Sequence, residues 1–278
     1  MGQNDEHTHV DRGQAQSAYS ALDVDASARA HASRVEGGHD EDHSKVGGQL
    51  KTIIFGGLDG ILTSFAIVSS CAGSGLTSRV VLLLGACNIL ADAMAMGVGE
   101  YLSTKSSDEF ARRERAREDW ELRNHPEGEV EEMVEIYVQR GMSAEDARTV
   151  ITTMAKYHDF FVDVMMVEEL GLFVPEANAS LEAAKDGLLM FAAFVVFGTA
   201  PLFGYLLTPL VITQPTEHQL FLAACAVTAV TLFALGAAKS RFVQQSAWRL
   251  GVETLALGAL CASVAYFCGV ALSPQMHP

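Results

Sequence analysis

The chain has 278 residues, 49% of them hydrophobic and 19% charged, with a mean hydropathy of +0.20. That is too apolar for most soluble domains and too hydrophobic for disorder throughout. Against 19 Lys and Arg stand 34 Asp and Glu, a formal charge of −15, the wrong sign for a nucleic-acid partner. The cysteines (Cys71, Cys87, Cys225, Cys261, Cys268) lie in apolar stretches and form no CxxC pair, so neither a disulfide framework nor a thiolate zinc site is indicated.

Residues 1–50, rich in Asp, Glu, His, Gly, Ser and Ala, have no run able to build a core and read as a disordered tail. No basic start followed by an apolar segment marks a secretory signal there. From Thr52 the character changes. Five apolar runs, 52–73, 80–103, 187–207, 219–238 and 250–272, each have the length of about 20 residues that a helix needs to cross a bilayer core. The expected fold is an all-α integral membrane protein of five transmembrane helices. A small cytosolic helical domain is inserted between the second and third. The expected boundaries are 1–50 for the tail, 51–104 for the first two spans, 105–186 for the insert, and 187–278 for the last three spans with a short tail.

Within the insert, Pro126 suits a first helical position, Gly141 can close a helix, and Ser143 can cap the next with Asp146 in the box position. This punctuation predicts helices near 104–124, 127–140, 143–156 and 158–171. Val130, Val134, Ile136, Val138, Val150, Ile151, Phe160, Phe161 and Val164 are their candidate core. Five spans place the termini on opposite sides. Every Lys and Arg except Arg79 lies on the side of the N-terminus and insert, so that side is expected to be cytosolic and the C-terminus luminal or extracellular.

Carboxylates stand where lipid should be. An ionised side chain at mid-membrane costs about 2.5–3.5 kcal/mol on insertion scales, so such a residue is functional by default. Asp59 lies near the middle of the first span, with Thr63 one turn on and Gly56 and Gly60 allowing close helix approach. In the second span Asn88, Asp92, Met96 and Glu100 recur every fourth residue, one slowly drifting stripe of oxygen and thioether ligands. An isolated carboxylate is as readily a protonated structural group, but four stacked ligand types opposite an Asp make a metal-competent path the better reading. Glu253 near a span end, Met94 on another face and the cysteines receive no role.

The insert repeats the theme. Glu118 and Glu121 share a helix face, as do Glu129 and Glu132, and Met165, Met166 and Glu169 add two thioethers and a carboxylate. Glutamates alone suit Ca²⁺, Mg²⁺ or Mn²⁺, and methionine shifts the balance to first-row transition metals. Taken singly, acidic pairs are an ordinary solvated face and adjacent methionines ordinary core. Their combination on one acidic domain beside an acidic path favours metal. The Glu36–His39 ExxH spacing holds two glycines, and no ExxH occurs in the insert, so no ferritin-like di-iron set is spelled out. The tail histidines (His7, His9, His31, His39, His43) are polar tail residues able at most to gather metal loosely. A phosphate-cradling GxxxxGK[ST] is absent.

The segments FGGLDGILTSFA, ADAMAMGVGEYLSTKS and DVMMVEELGL resemble signatures of the vacuolar iron transporter family, over roughly residues 45–272. The resemblance implies a homodimeric, proton-coupled exporter of cytosolic Fe²⁺ into a vacuole-like acidic compartment, serving iron storage and detoxification. The pore would run between subunits, with the insert gathering metal ahead of it. By motif, Asp59 and Met96 match pathway ligands, with Asp92 and Glu100 in the same signature. Glu118, Glu121, Glu129, Glu132, Met165, Met166 and Glu169 match the insert's metal ligands. Ala95 stands where the family often has Ser. No permanent cofactor is implied, Fe²⁺ being the substrate and bound ion; protons, other divalent metals (Mn²⁺, Co²⁺, Zn²⁺) and membrane lipid complete the expected partners. The rivals are a membrane-tethered metal sensor or store, which would not require acids in the bilayer, and a membrane ferroxidase, which the missing ExxH disfavours.

Overall fold

A computed structural model describes residues 8–10, 17–19, 21–32, 34–36, 42–176, 178–240 and 245–276. The chain divides into two compact units, Met1–Thr52 and Ile53–Pro278. In the first, strand β1 (Thr8–Val10) pairs antiparallel with β2 (Arg34–Glu36), on either side of helix α1 (Val24–Ala32). Asp23 Oδ1 accepts from Ala26 N at 2.9 Å, the bond of a helix N-cap. These short elements lie within residues 1–50, the stretch expected to be a disordered tail. His7 and His39, and with His39 the ExxH spacing, lie outside the described residues, as do the side chains of His9, His31 and His43.

The regular elements described in the second unit are helices, the first of which begins in the first unit. Helices α2 (Asp42–Gly73) and α3 (Ser78–Asn124) precede three short ones, α4 (Pro126–Gln139), α5 (Ala144–Met154) and α6 (His158–Glu168). Then follow α7 (Ala179–Gly198), α8 (Ala200–Val211), α9 (Glu217–Ala238) and α10 (Ala247–Met276). Among the described residues, five segments are long and apolar enough to cross a membrane: Gly48–Gly73, Ser78–Asn124, Ala179–Val211, Glu217–Ala238 and Ala247–Ser273. Each contains one of the five expected spans. The third is two helices, because Pro201 has no N–H to continue the ladder; Thr199 O instead accepts from Leu202 N at 3.0 Å.

The second expected span and the expected helix near 104–124 are one continuous helix. Helix α3 runs unbroken for 47 residues, about 70 Å, carrying the second span directly into the insert. No Gly or Pro interrupts it between Leu102 and Asn124, and it stops only before Pro126. The other ends follow the punctuation closely. Pro126 opens α4, and Gly141 has a φ of 101° just beyond its end. Ser143 Oγ accepts from Asp146 N at 3.1 Å. Helix α6 ends at Glu168, short of the expected 171, and Gly171 lies in the left-handed region.

Close backbone approach assembles the apolar helices. A Cβ at Gly60 would lie 2.6 Å from Phe194 O, and one at Gly187 would lie 2.6 Å from Gly97 O, so α2 and α3 both pack on α7 at glycines. Around these crossings Phe65, Val68, Val81, Ile89, Ala93, Phe194, Leu202 and Tyr205 form a buried core. The insert has its own, built from Leu122, Met133, Val134, Ala147, Ile151, Phe161, Val162 and Met165. Of the expected core, Val134, Ile151 and Phe161 are buried and Val130, Ile136 and Val164 pack partly against them. Val138, Val150 and Phe160 are exposed instead. Ala147 and Ile151, one turn apart, define the buried face of α5, and Val150 is a residue out of phase with it.

Candidate metal path and carboxylate centre

On α2, Asp59 is half-buried, and the Thr63 hydroxyl donates to the Asp59 carbonyl at 2.8 Å. On α3, Ile89, Ala93 and Gly97 are buried against the bundle, while Leu90, Met94 and Val98 are exposed. Asn88, Asp92, Met96 and Glu100 are all half-buried, a stripe along the margin between the two faces. Asp59 and Asp92 thus stand half-buried on the first and second of the long apolar helices. Asn88 Nδ2 donates to Asp92 Oδ2 at 2.7 Å. Met96 packs partly against the apolar core, and Glu100 lies one turn beyond it.

In the insert the continuation of α3 supplies Glu118, α4 supplies Glu129, and the end of α6 supplies Glu169. One carboxylate oxygen of each lies within 4.8 Å of the others. Glu118 is fully buried and Glu129 nearly so. Among the described residues, Glu118 Oε2 and Glu169 Oε2 are buried without any hydrogen-bond partner. A buried charge left unpaired is costly, so three converging carboxylates, two of them with an orphaned oxygen, have the chemistry to hold a cation. Met165 and Met166 are fully buried beside Glu169 in sequence, and Met165 also belongs to the insert core.

Electrostatics record the crowding. Burial, then repulsion from Glu118, Glu132 and Glu129, pushes the Glu169 carboxyl up to about 7, against the opposing pull of Arg117. Glu129 is likewise raised, by burial first and then by Glu118, Glu121 and Glu132, with His125 acting in the other direction. Glu121 is half-buried and Glu132 exposed, so both stand at the edge of the three-carboxylate centre.

Arg117 joins this centre without any signal in the sequence. Its guanidinium reaches Glu114 Oε2 at 2.7 Å, Glu118 Oε1 at 2.8 Å and Glu121 Oε2 at 3.6 Å. Arginines spaced among glutamates are routine on exposed helices, so nothing in the spacing singled it out. A second group, Asp119, His158 and Asp159, also converges, with His158 Nε2 2.7 Å from Asp119 Oδ1. Arg123 already grips both oxygens of Asp119, at 2.9 and 3.0 Å, so this cluster reads as an ion-paired tie between α3 and α6.

Among the described residues, five helices long and apolar enough to cross a membrane, two of them carrying half-buried acids, and three converging carboxylates on the helices between the second and third define a polytopic membrane protein. A model of the VIT family matches residues 50–270, and the chain belongs to that family. It is similar to the vacuolar iron transporter of Toxoplasma gondii, 40% identical over 266 residues that cover 93% of this chain and 87% of the relative. The vacuolar iron transporter of Plasmodium falciparum is 38% identical over 235 residues, covering 84% of this chain and 86% of its own. Vacuolar iron transporter 1 of Arabidopsis thaliana is 33% identical over 230 residues, covering 83% and 88% respectively.

Proposed function

We propose that the protein carries Fe²⁺ from the cytosol into an acidic, vacuole-like compartment in exchange for protons, for iron storage and detoxification, and that it works as a homodimer. The observation that carries this reading is the presence of two half-buried acids, Asp59 and Asp92, on two helices long and apolar enough to cross a membrane. Simple anchoring gives no reason to place two acids there. The names of the relatives support iron as cargo and a vacuolar membrane as location. They also fit a transporter rather than an enzyme.

In this mechanism the insert and the N-terminus face the cytosol and the C-terminus faces the lumen, as the basic residues near the span ends favour. The Glu118–Glu129–Glu169 centre, flanked by Glu121, Glu132 and the thioethers of Met165 and Met166, takes up metal. Asp59, Asp92, Met96 and Glu100 pass it across. On the acidic side a carboxylate that releases metal accepts a proton, so one oxygen site serves both ions in turn. Fe²⁺ is substrate here and no resident cofactor is needed. Mn²⁺, Co²⁺ and Zn²⁺ share the same ligand chemistry and are expected as competing cargo.

The test is metal flux into liposomes holding the purified protein, with Fe²⁺ outside under reducing conditions and with or without an acidic lumen. Flux should rise with the proton gradient and vanish in Asp59→Ala without loss of the folded protein. Undiminished flux in that variant would remove Asp59 from the path. Tight metal binding without flux in the wild type would favour a sensor or store.

A further inference from the structure

Glu118 is fully buried, yet its Oε1 is held by a side chain that is not. Arg117 bridges Glu114, Glu118 and Glu121 while 48% of its side chain remains exposed. A buried carboxylate without metal needs a positive partner, and Arg117 supplies one from outside the centre. It satisfies one oxygen of Glu118 and leaves Oε2 unpaired. Three carboxylates from successive turns of α3 hold the guanidinium at the rim. Its half-exposed side chain leaves a short swing into solvent.

We propose that Arg117 is the resident counter-cation of the insert's carboxylate centre: it occupies the centre's charge in the metal-free state, is displaced by the incoming divalent ion, and so sets the affinity. This rests on the reading of that centre as a metal site. A divalent ion brings twice the charge of the guanidinium and repels it, so the two states exclude each other. Competition lowers the apparent affinity by the fraction of time the centre is closed by arginine. Capture is thereby kept reversible, which suits a centre that must hand its ion onward. Glu114, which no metal motif includes, acquires a role as the anchor on the far side of the guanidinium.

The experiment is a titration of the full-length protein in detergent with Fe²⁺ under anaerobic, reducing conditions, for wild type, Arg117→Gln and Arg117→Lys. Arg117→Gln should bind about three- to tenfold more tightly than wild type. Its affinity should also fall more steeply with salt, since in the wild type the same salt weakens the competing arginine. Arg117→Lys keeps the charge but lacks the planar fork, and should tighten binding by a smaller factor. If Arg117→Gln does not fold, the lysine variant carries the test. Unchanged or weaker binding in a folded variant, with a salt profile parallel to the wild type, would overturn the proposal and leave Arg117 a structural ion pair. Absence of Fe²⁺ binding in the wild type would instead overturn the metal centre itself, and this inference with it.

Discussion

Asn88 holds Asp92: the amide of one donates to the carboxylate of the other at 2.7 Å, one turn apart on the second apolar helix. The bond orients the acid that shares the proposed path with Asp59. Partners of this kind orient ligands, and their loss lowers metal affinity or activity by tenfold or more. Asn88→Leu is expected to reduce Fe²⁺ flux about tenfold in liposomes while expression and helix content stay unchanged. Flux equal to wild type would mean that Asp92 needs no orientation, or no part in transport.

The raised Glu169 carboxyl makes the metal-free protein sensitive to pH. Folding lifts its pKa from the ordinary 4.5 to about 7, so the folded state holds the proton more tightly than the unfolded one. The stability linked to that proton is fully present below pH 4.5 and is lost as pH rises through 7. Over that window the loss should amount to about 2 kcal/mol, since partial solvent contact screens the repulsion. Thermal unfolding of the metal-free protein should therefore show a midpoint that falls from pH 5 to pH 8, with a flatter profile in Glu169→Gln. Saturating divalent metal should restore the midpoint at pH 8. A flat wild-type profile would contradict the crowding of charge around this group.

Gly60 lies where α2 crosses α7. A methyl there would sit 2.6 Å from Phe194 O and 3.2 Å from Gly198 N, and backbone cannot swing aside as a side chain can. Overpacking of this kind costs about 1–3 kcal/mol. Gly60→Ala should lower the thermal midpoint and the yield of monodisperse protein. Gly48→Ala is the control: nothing lies within 4 Å of its added methyl, and the gain in helix propensity makes it neutral or slightly stabilising. Equal behaviour of the two variants would show that the α2–α7 crossing tolerates separation.

Much of the molecule was legible before any packing was known. The five spans are visible because a bilayer core demands some twenty apolar residues in a row, and Asp59 and Asp92 stand out because such runs exclude charge. The stripe from Asn88 to Glu100 follows from helical period alone. So do the ends of α4 and α5 at Pro126, Gly141 and Ser143, where local backbone chemistry decides the matter. Pairs such as Glu118 with Glu121 are likewise local, since residues three apart share a face of one helix.

What lies between helices had to come from the tertiary structure. Glu118, Glu129 and Glu169 are carried by different helices, and only the packing around Met133, Ile151 and Phe161 brings their oxygens within 4.8 Å. The same packing leaves Glu121 and Glu132 at the edge and turns Val138, Val150 and Phe160 outward. It also buries Glu118, the carboxylate that its sequence neighbour Arg117 holds. The periodicity of a single helix states which residues share a face. It does not state which face meets which, because that register depends on side-chain volumes and glycine crossings contributed by other parts of the chain.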